Sequence, residues 1–277
     1  MKNVGAGADD GIMIKKSNPL SAWFPLLVIV LSLVVAFGVF YTIFASPDNF
    51  DGGDPIKGHP INMFGTVYKG GAVIPVGMGL FLMTWVFFFE RFISIFFMAK
   101  GKSSVDVFVQ SVRLSLRDGD IDGALAACDK QRGSVANVVK AGLSKYKDVE
   151  KGGSADKETN REAIQKELEE ATSLELPMLE RNLPIIATVA SIGVLVGLFG
   201  TVLGMIKAFS ALATAGAPDA TALATGISEA LINTAIGIGT SALAIVFYNF
   251  FTVQIDSLTY KIDEAGYSIV QTYETTH

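Results

Sequence analysis

Residues 183–209 read LPIIATVASIGVLVGLFGTVLGMIKAF, and the first charge after Arg181 is Lys207. The uncharged run 182–206 is 25 residues long. A helix needs about 20 predominantly apolar residues to cross the hydrocarbon core of a bilayer. This stretch therefore reads as a membrane span, and the same test can be applied outward along the chain. Residues 17–47, 70–89 and 230–255 also lack charge, in runs of 31, 20 and 26 residues. Four such runs exclude a soluble globular protein. They also explain why charged residues are only 18% of the 277, against about 25% in ordinary soluble domains.

The first run, Trp23–Phe44, could be confused with a secretory signal. The apolar core of a signal is about 7–15 residues, and this run is longer, so a retained span is expected. Orientation follows from the lysines and arginines near the spans. Lys15, Lys16, Lys100, Lys102 and Arg181 stand on one side, and the connection 208–226 has no Lys or Arg. The consistent solution is a cytoplasmic N-terminus (1–22), a span at 23–45, an outer loop at 46–71 and a second span at 72–99. A helical cytoplasmic domain follows at 100–182, then a third span at 183–209, an outer loop at 210–226, a fourth span at 227–254 and a cytoplasmic C-terminal helix at 255–277.

The domain at 100–182 carries 14 Lys+Arg and 15 Asp+Glu. Val105, Phe108, Val109, Val112 and Leu116 recur at helical spacing. Asp118-Gly119-Asp120 interrupts, and 121–128 and 135–143 make two further short amphipathic pieces. Residues 148–160, with Gly152-Gly153-Ser154, read as an exposed loop. Residues 159–181 are rich in helix formers and run toward the third span, with kinks expected at Pro177 and Pro184. Beyond the fourth span, Ile255, Leu258, Ile262, Ala265 and Ile269 keep a spacing of three to four, so that helix should continue into the cytoplasm. The fold class is all-α, and no strand or internal repeat is legible.

Other chemistry is thinly supplied. The one cysteine, Cys128, allows neither an internal disulfide nor a zinc cluster, and it reads as a small packing residue. His59 and His277 are far apart, so no metal site or other cofactor is expected. The net charge of −5 and the lack of a basic arm argue against nucleic-acid binding. No nucleophile–base pair, phosphate loop or metal motif points to an enzyme. A secondary transporter with its own substrate site is the alternative of another class; such proteins often show paired, repeated or interrupted spans, and no repeat is found here.

The last two spans carry the features of interest. Gly193/Gly197 and Gly200/Gly204 are each four apart, a spacing that lets helix backbones approach closely in lipid. Thr201 follows Gly197 by four; its hydroxyl can satisfy its own backbone or line a polar path. In the fourth span Glu229 and Asn233 are one turn apart, and Thr234, Ser241 and Tyr248 repeat every seven residues on one face. Glu229 reads either as a group facing the bundle interior or as a solvated carboxylate at the membrane edge. Between residues 183 and 255 the ionisable Asp, Glu, Lys and Arg residues are Lys207, Asp219 and Glu229, none at the centre of a span. If protons cross here, a partner must supply the titrating group.

These residues resemble a known family. Residues 183–209, above all Gly197-Leu198-Phe199-Gly200-Thr201-Val202 followed by Gly204, look like the second span of the ExbB/TolQ/MotA proton-channel family. Residues 227–249, ISEALINTAIGIGTSALAIVFYN, are similar to its last span. Glu90-Arg91 and 124–143 also fit, so the resemblance covers about 72–255, and ExbB is nearest. Two features depart from ExbB-like chains: an extra N-terminal span, and Val194 and Leu243 where those chains often have prolines. The resemblance implies a multi-pass subunit of a motor in the bacterial cytoplasmic (inner) membrane, with no enzymatic activity. It further implies a homopentameric ring whose last two spans line a pore. Inside would sit ExbD-like single-span helices whose aspartate carries the proton, and the work would pass to a TonB-like energy transducer. On that reading Thr201 and Thr234 border the partner aspartate, Glu229 biases or hydrates the outer mouth, and Asn233 and Ser241 share the pore face. Gly193, Gly197, Gly200 and Gly204 serve helix packing. A TolQ-like, gliding or flagellar-type stator is the alternative within the family. The extra span, apolar all round, belongs on the ring periphery against the second span and the lipid.

Overall fold

The computed structural model describes residues 19–152, 156–214 and 220–276. Lys2, Lys15 and Lys16, which bear on the orientation, lie outside them, as do Asp219 and His277. The described residues form nine α-helices and no strand. The only β-type pairing among them is a single antiparallel bridge between Phe50 and Pro60. Among the described residues four helices are long and apolar enough to cross a membrane: Trp23–Phe44, Ile74–Ala99, Leu183–Ser210, and a stretch within Ala220–Thr276.

Helix α1 (Pro19–Val39) continues into a π-helical turn, Phe40–Phe44. Its buried positions are Val28, Ser32, Ala36 and Phe40, spaced by four and so on one face. That face packs on α3 (Ile74–Ile93), where Gly79 leaves room for Leu33. Leu26, Leu27, Val30, Leu31, Val34 and Val35 are exposed, as a lipid-facing surface requires. The apolar composition of α1 does not make it uniform, because Ser32 lies in the buried stripe.

The connection 46–71 is a folded cap. Asn49 is buried, and its Nδ2 donates to Ile43 O at 2.8 Å and Phe44 O at 3.1 Å, satisfying carbonyls at the end of α1. Asn62 Nδ2 donates to Asn49 Oδ1 at 2.8 Å, while Asn62 Oδ1 caps helix α2 (Met63–Lys69) by accepting from Gly65 N at 2.9 Å. Phe50 is buried edge-on to Tyr68, which stacks on Phe40. An interior of paired amides and rings holds the cap on the first span.

Helix α3 runs into a π-helical segment, Ser94–Ala99. Its aromatic face meets the long last helix α9 (Ala220–Thr276), with Phe88 4.2 Å from Phe247 and 5.4 Å from Phe251 between ring centroids. At its far end Arg91 is buried. It pairs with Glu90 at 2.5 Å and donates to Leu179 O at 3.1 Å, which ties α3 to the end of α7 (Lys157–Leu179).

Helices α4 (Val105–Arg117), α5 (Ile121–Gln131) and α6 (Ser134–Gly152) join α7 in a domain built around the extension of α9. Ile255, Leu258, Ile262, Ala265 and Ile269 are all at most 3% exposed. Burying each of the large ones is worth about 1.5–3 kcal/mol. They meet Val109 and Val112 of α4, Val138, Val139 and Leu143 of α6, and Ile164 and Leu168 of α7 in one core. Lys261 fastens the far edge by pairing with Asp106 at 2.7 Å and Glu264 at 3.0 Å. Cys128 is part of this core, and burial pushes its thiol up to about 12.

Three expectations are corrected. The loop at 148–160 shrinks, because α6 continues to Gly152 and α7 begins at Lys157. The helix at 159–181 does not run on into the third span. It ends at Leu179, and the chain turns through Asn182 at φ +64° before α8 (Leu183–Thr214) starts. Asparagine tolerates that left-handed backbone, and Pro184 sits in the first turn of α8, where its missing N–H costs nothing. The connection at 210–226, expected as a loop, is helical over 210–214 and 220–226, since α8 reaches Thr214 and α9 begins at Ala220.

Candidate functional site

Helices α8 and α9 pack along their membrane-spanning lengths, and glycine sets how close they come. A Cβ at Gly197 would stand 3.0 Å from Asn233 O and 3.1 Å from Gly237 Cα. At Gly204 it would meet Ala230 N at 2.8 Å, and at Gly193 it would meet Ser241 Oγ. At Gly200 it would overlap the Asn233 side chain. All four α8 glycines therefore face α9, which answers with Gly226 and Gly237.

In the seam the two threonines meet. Thr201 Oγ1 and Thr234 Oγ1 are directly hydrogen-bonded across the helices. Thr201 Oγ1 also lies 3.1 Å from Gly197 O and 3.3 Å from Ala230 O, and Thr234 Oγ1 is 3.2 Å from Ala230 O. Each hydroxyl has one proton to donate and can accept. The pair can thus run in two directions: Thr234 to Thr201 to Gly197 O, or Thr201 to Thr234 to Ala230 O. Both arrangements end on a helix carbonyl, which accepts a hydrogen bond but not the proton itself, so any group that exchanges a proton with the pair must reach one of its hydroxyls. Both threonines are half-buried. Thr201 opens onto a surface groove of α8 otherwise lined by Val202, Met205, Ile206, Phe209, Ser210 and Ala213.

One turn toward the cap lies the charged part. Glu229 is not a solvated carboxylate: its side chain is 8% exposed, and Oε1 accepts from Lys207 Nζ at 2.6 Å. Asn233 is buried, and its Nδ2 donates to Glu229 O at 3.0 Å and to Gly70 O at 2.8 Å. Among the described residues Lys207 and Glu229 are the only Asp, Glu, Lys or Arg between 183 and 255, and they neutralise each other. On the other side of the threonines, Ser241 and Thr240 are buried with hydroxyls that have no partner among the described residues. Tyr248, seven residues beyond Ser241, is half-buried against the core.

Sequence spacing singled out Thr201, Glu229, Asn233, Thr234 and Ser241. The structure brings the first four into one contiguous cluster and leaves Ser241 beside Gly193, farther along the same seam. Lys207 and Gly70 were not singled out as site residues. Their contacts join segments 22 and 163 residues apart, and no local periodicity encodes them.

The described residues are those of a four-span helical membrane protein with a small-residue seam between its last two spans and a hydroxyl pair within that seam. The MotA/TolQ/ExbB proton channel family model matches residues 130–264. The biopolymer transport protein ExbB of Salmonella typhimurium is 32% identical over 191 residues, covering 66% of this chain and 73% of the relative. The Tol-Pal system protein TolQ of Pseudomonas aeruginosa is 29% identical over 175 residues, covering 63% and 74%. The Haemophilus influenzae TolQ is 41% identical over a shorter stretch of 88 residues, 32% of this chain and 39% of the relative. The chain belongs to the MotA/TolQ/ExbB proton channel family, whose TolQ- and ExbB-type members are energy-transducing stator subunits.

Proposed function

We propose that this chain is the ExbB-like ring subunit of a proton-driven motor in the bacterial inner membrane. Five copies form a ring with α8 and α9 toward a central pore. Inside it an ExbD-like single-span partner supplies a membrane aspartate, and proton movement is passed as mechanical work to a TonB-like transducer. The cap faces outward, with the ends of α8 and α9 nearest it, while both termini and helices α4–α7 lie in the cytoplasm.

The observation that carries this reading is the Thr201–Thr234 hydroxyl pair between the two spans that match the family motifs. A half-buried Thr201 at the edge of an apolar groove suits a partner helix that brings its carboxylate to the pair. Ionisable groups at membrane depth are costly and face interiors or water. The only Asp, Glu, Lys or Arg side chains the described parts of α8 and α9 offer between 183 and 255 are already paired with each other. Gly193, Gly197, Gly200 and Gly204 keep the seam closed so that the hydroxyls meet.

A TolQ-like assignment shares every step up to the transducer. The Pseudomonas aeruginosa relative, matched over nearly the same share of the chain as ExbB, keeps it as the second reading. Purification with and without the neighbouring single-span protein, followed by native mass spectrometry, tests the proposal. Five copies with bound partner are expected. A stable monomer with no affinity for any single-span protein would refute it.

A further inference from the structure

The Lys207–Glu229 pair does not stand alone, because the elbow between α2 and α3 is built onto it. Gly71 sits in the elbow at φ +80°, a backbone that glycine adopts without cost and other residues resist. A Cβ there would overlap Glu229 Oε1 and lie 3.2 Å from Lys207 Nζ. The carboxylate thus occupies the space a side chain at 71 would fill. Its neighbour Gly70 presents its carbonyl to Asn233 Nδ2 at 2.8 Å. Asn233 in turn fills the space left by the missing side chain of Gly200. Three chain segments, α8, α9 and the elbow, converge on one carboxylate.

We propose that Lys207 and the Gly70–Gly71 elbow are positioning elements for the proton path, acting through Glu229. This rests on the function proposed above and adds residues that the hydroxyl pair alone does not call for. A buried carboxylate needs a cation and donors to stay where it is. Lys207 supplies the cation, and its side chain is 60% exposed, so its ammonium also meets whatever occupies the mouth of the seam. Ala230 O, the acceptor at one end of the threonine chain, belongs to the residue directly after Glu229. Holding Glu229 therefore holds that acceptor. The latch also links the cap and the first span to the helix that carries Thr234, so the peripheral span reaches the candidate site through the elbow without entering it.

The test compares Lys207→Met with Lys207→Arg in the full chain purified with its single-span partner. Two readouts are taken: amide hydrogen exchange of residues 66–74, and proton flux into vesicles. Lys207→Met should speed exchange in the elbow at least ~10-fold and reduce flux by a similar factor or more, as removing the cation leaves the buried Glu229 carboxylate without its partner. Lys207→Arg should restore both, since a cation on a long stem is all the site asks for. Gly71→Ala should reproduce the methionine variant if it folds. Unchanged elbow exchange in Lys207→Met would overturn the latch. Faster exchange with unchanged flux would overturn its role in the proton path. An inactive parent complex would refute the proton path itself, and the latch's role in it, while elbow exchange still reports whether Lys207 holds the elbow.

Discussion

Replacing both seam threonines, Thr201→Val with Thr234→Val, separates chemistry from packing because the two effects differ greatly in size. Valine keeps the branched shape and loses only the hydroxyl. The structure shows what is lost: the hydroxyl–hydroxyl bond and three side-chain contacts to carbonyls at 3.1–3.3 Å. Gly197 O and Ala230 O also accept in the helix ladder, so no buried carbonyl is orphaned. Interhelical hydrogen bonds in membranes average about 0.6 kcal/mol and reach about 1.7. The double variant should therefore lose about 1–2 kcal/mol and remain assembled on the α8–α9 glycine seam. Removing a positioned proton donor or acceptor costs about 10²–10⁴ in rate, far beyond that stability loss. The assay is proton flux into vesicles containing the ring and its partner, with native mass spectrometry on the same sample. Each single variant should fall nearly as far as the double, because the two hydroxyls work as one chain. An intact complex with parental flux in the double variant would refute the relay. Dissociation would show instead that the pair is structural.

Cysteine at Asp48, an exposed cap residue, should react with an impermeant maleimide from outside intact cells, whereas Asp118→Cys should react only after permeabilisation. Native Cys128 should stay silent in both, since a thiol pushed up to about 12 by burial is not a thiolate at neutral pH; labelling of Asp118→Cys from outside would invert the topology. Gly237→Leu should force α8 and α9 apart, because even a Cβ there would stand 2.6 Å from Gly193 O and 2.7 Å from Gly197 Cα. A loss of roughly 2–3 kcal/mol, about 4–12 °C in Tm, is expected. Gly38→Leu, where nothing lies within 4 Å, should be neutral, and equal melting of the two variants would contradict the seam.

Much of the architecture is legible from charge spacing alone, since an uncharged run of 20 or more residues has few fates outside a bilayer. The continuation of α9 past the membrane was equally readable from Ile255 to Ile269, whose spacing matches one buried helical face. The cap was not. Its order comes from Asn49 and Asn62 bonding across 13 residues, and amides in a short polar connection look the same whether or not they are paired. The sequence points to two proline kinks before the third span and hides the break itself, because left-handed backbone at a single asparagine leaves no periodic trace. At the site, Thr201 and Thr234 stood out as hydroxyls on small or polar helix faces, but their mutual contact depends on the helix register that six glycines fix. Lys207 looked like a residue at the end of a span. Only the packed structure shows that its ammonium is what a buried Glu229 requires.

Proton flux through this chain alone, and then with the single-span partner, tests the central claim most directly. The subunit contributes hydroxyls and a neutralised ion pair, so vesicles containing it by itself should stay close to the leak of empty vesicles. Adding the partner should produce proton-selective flux, and a partner with its membrane aspartate changed to asparagine should not. Strong proton-selective conductance by this chain in the absence of any partner would contradict the account, because the titrating group would then be its own.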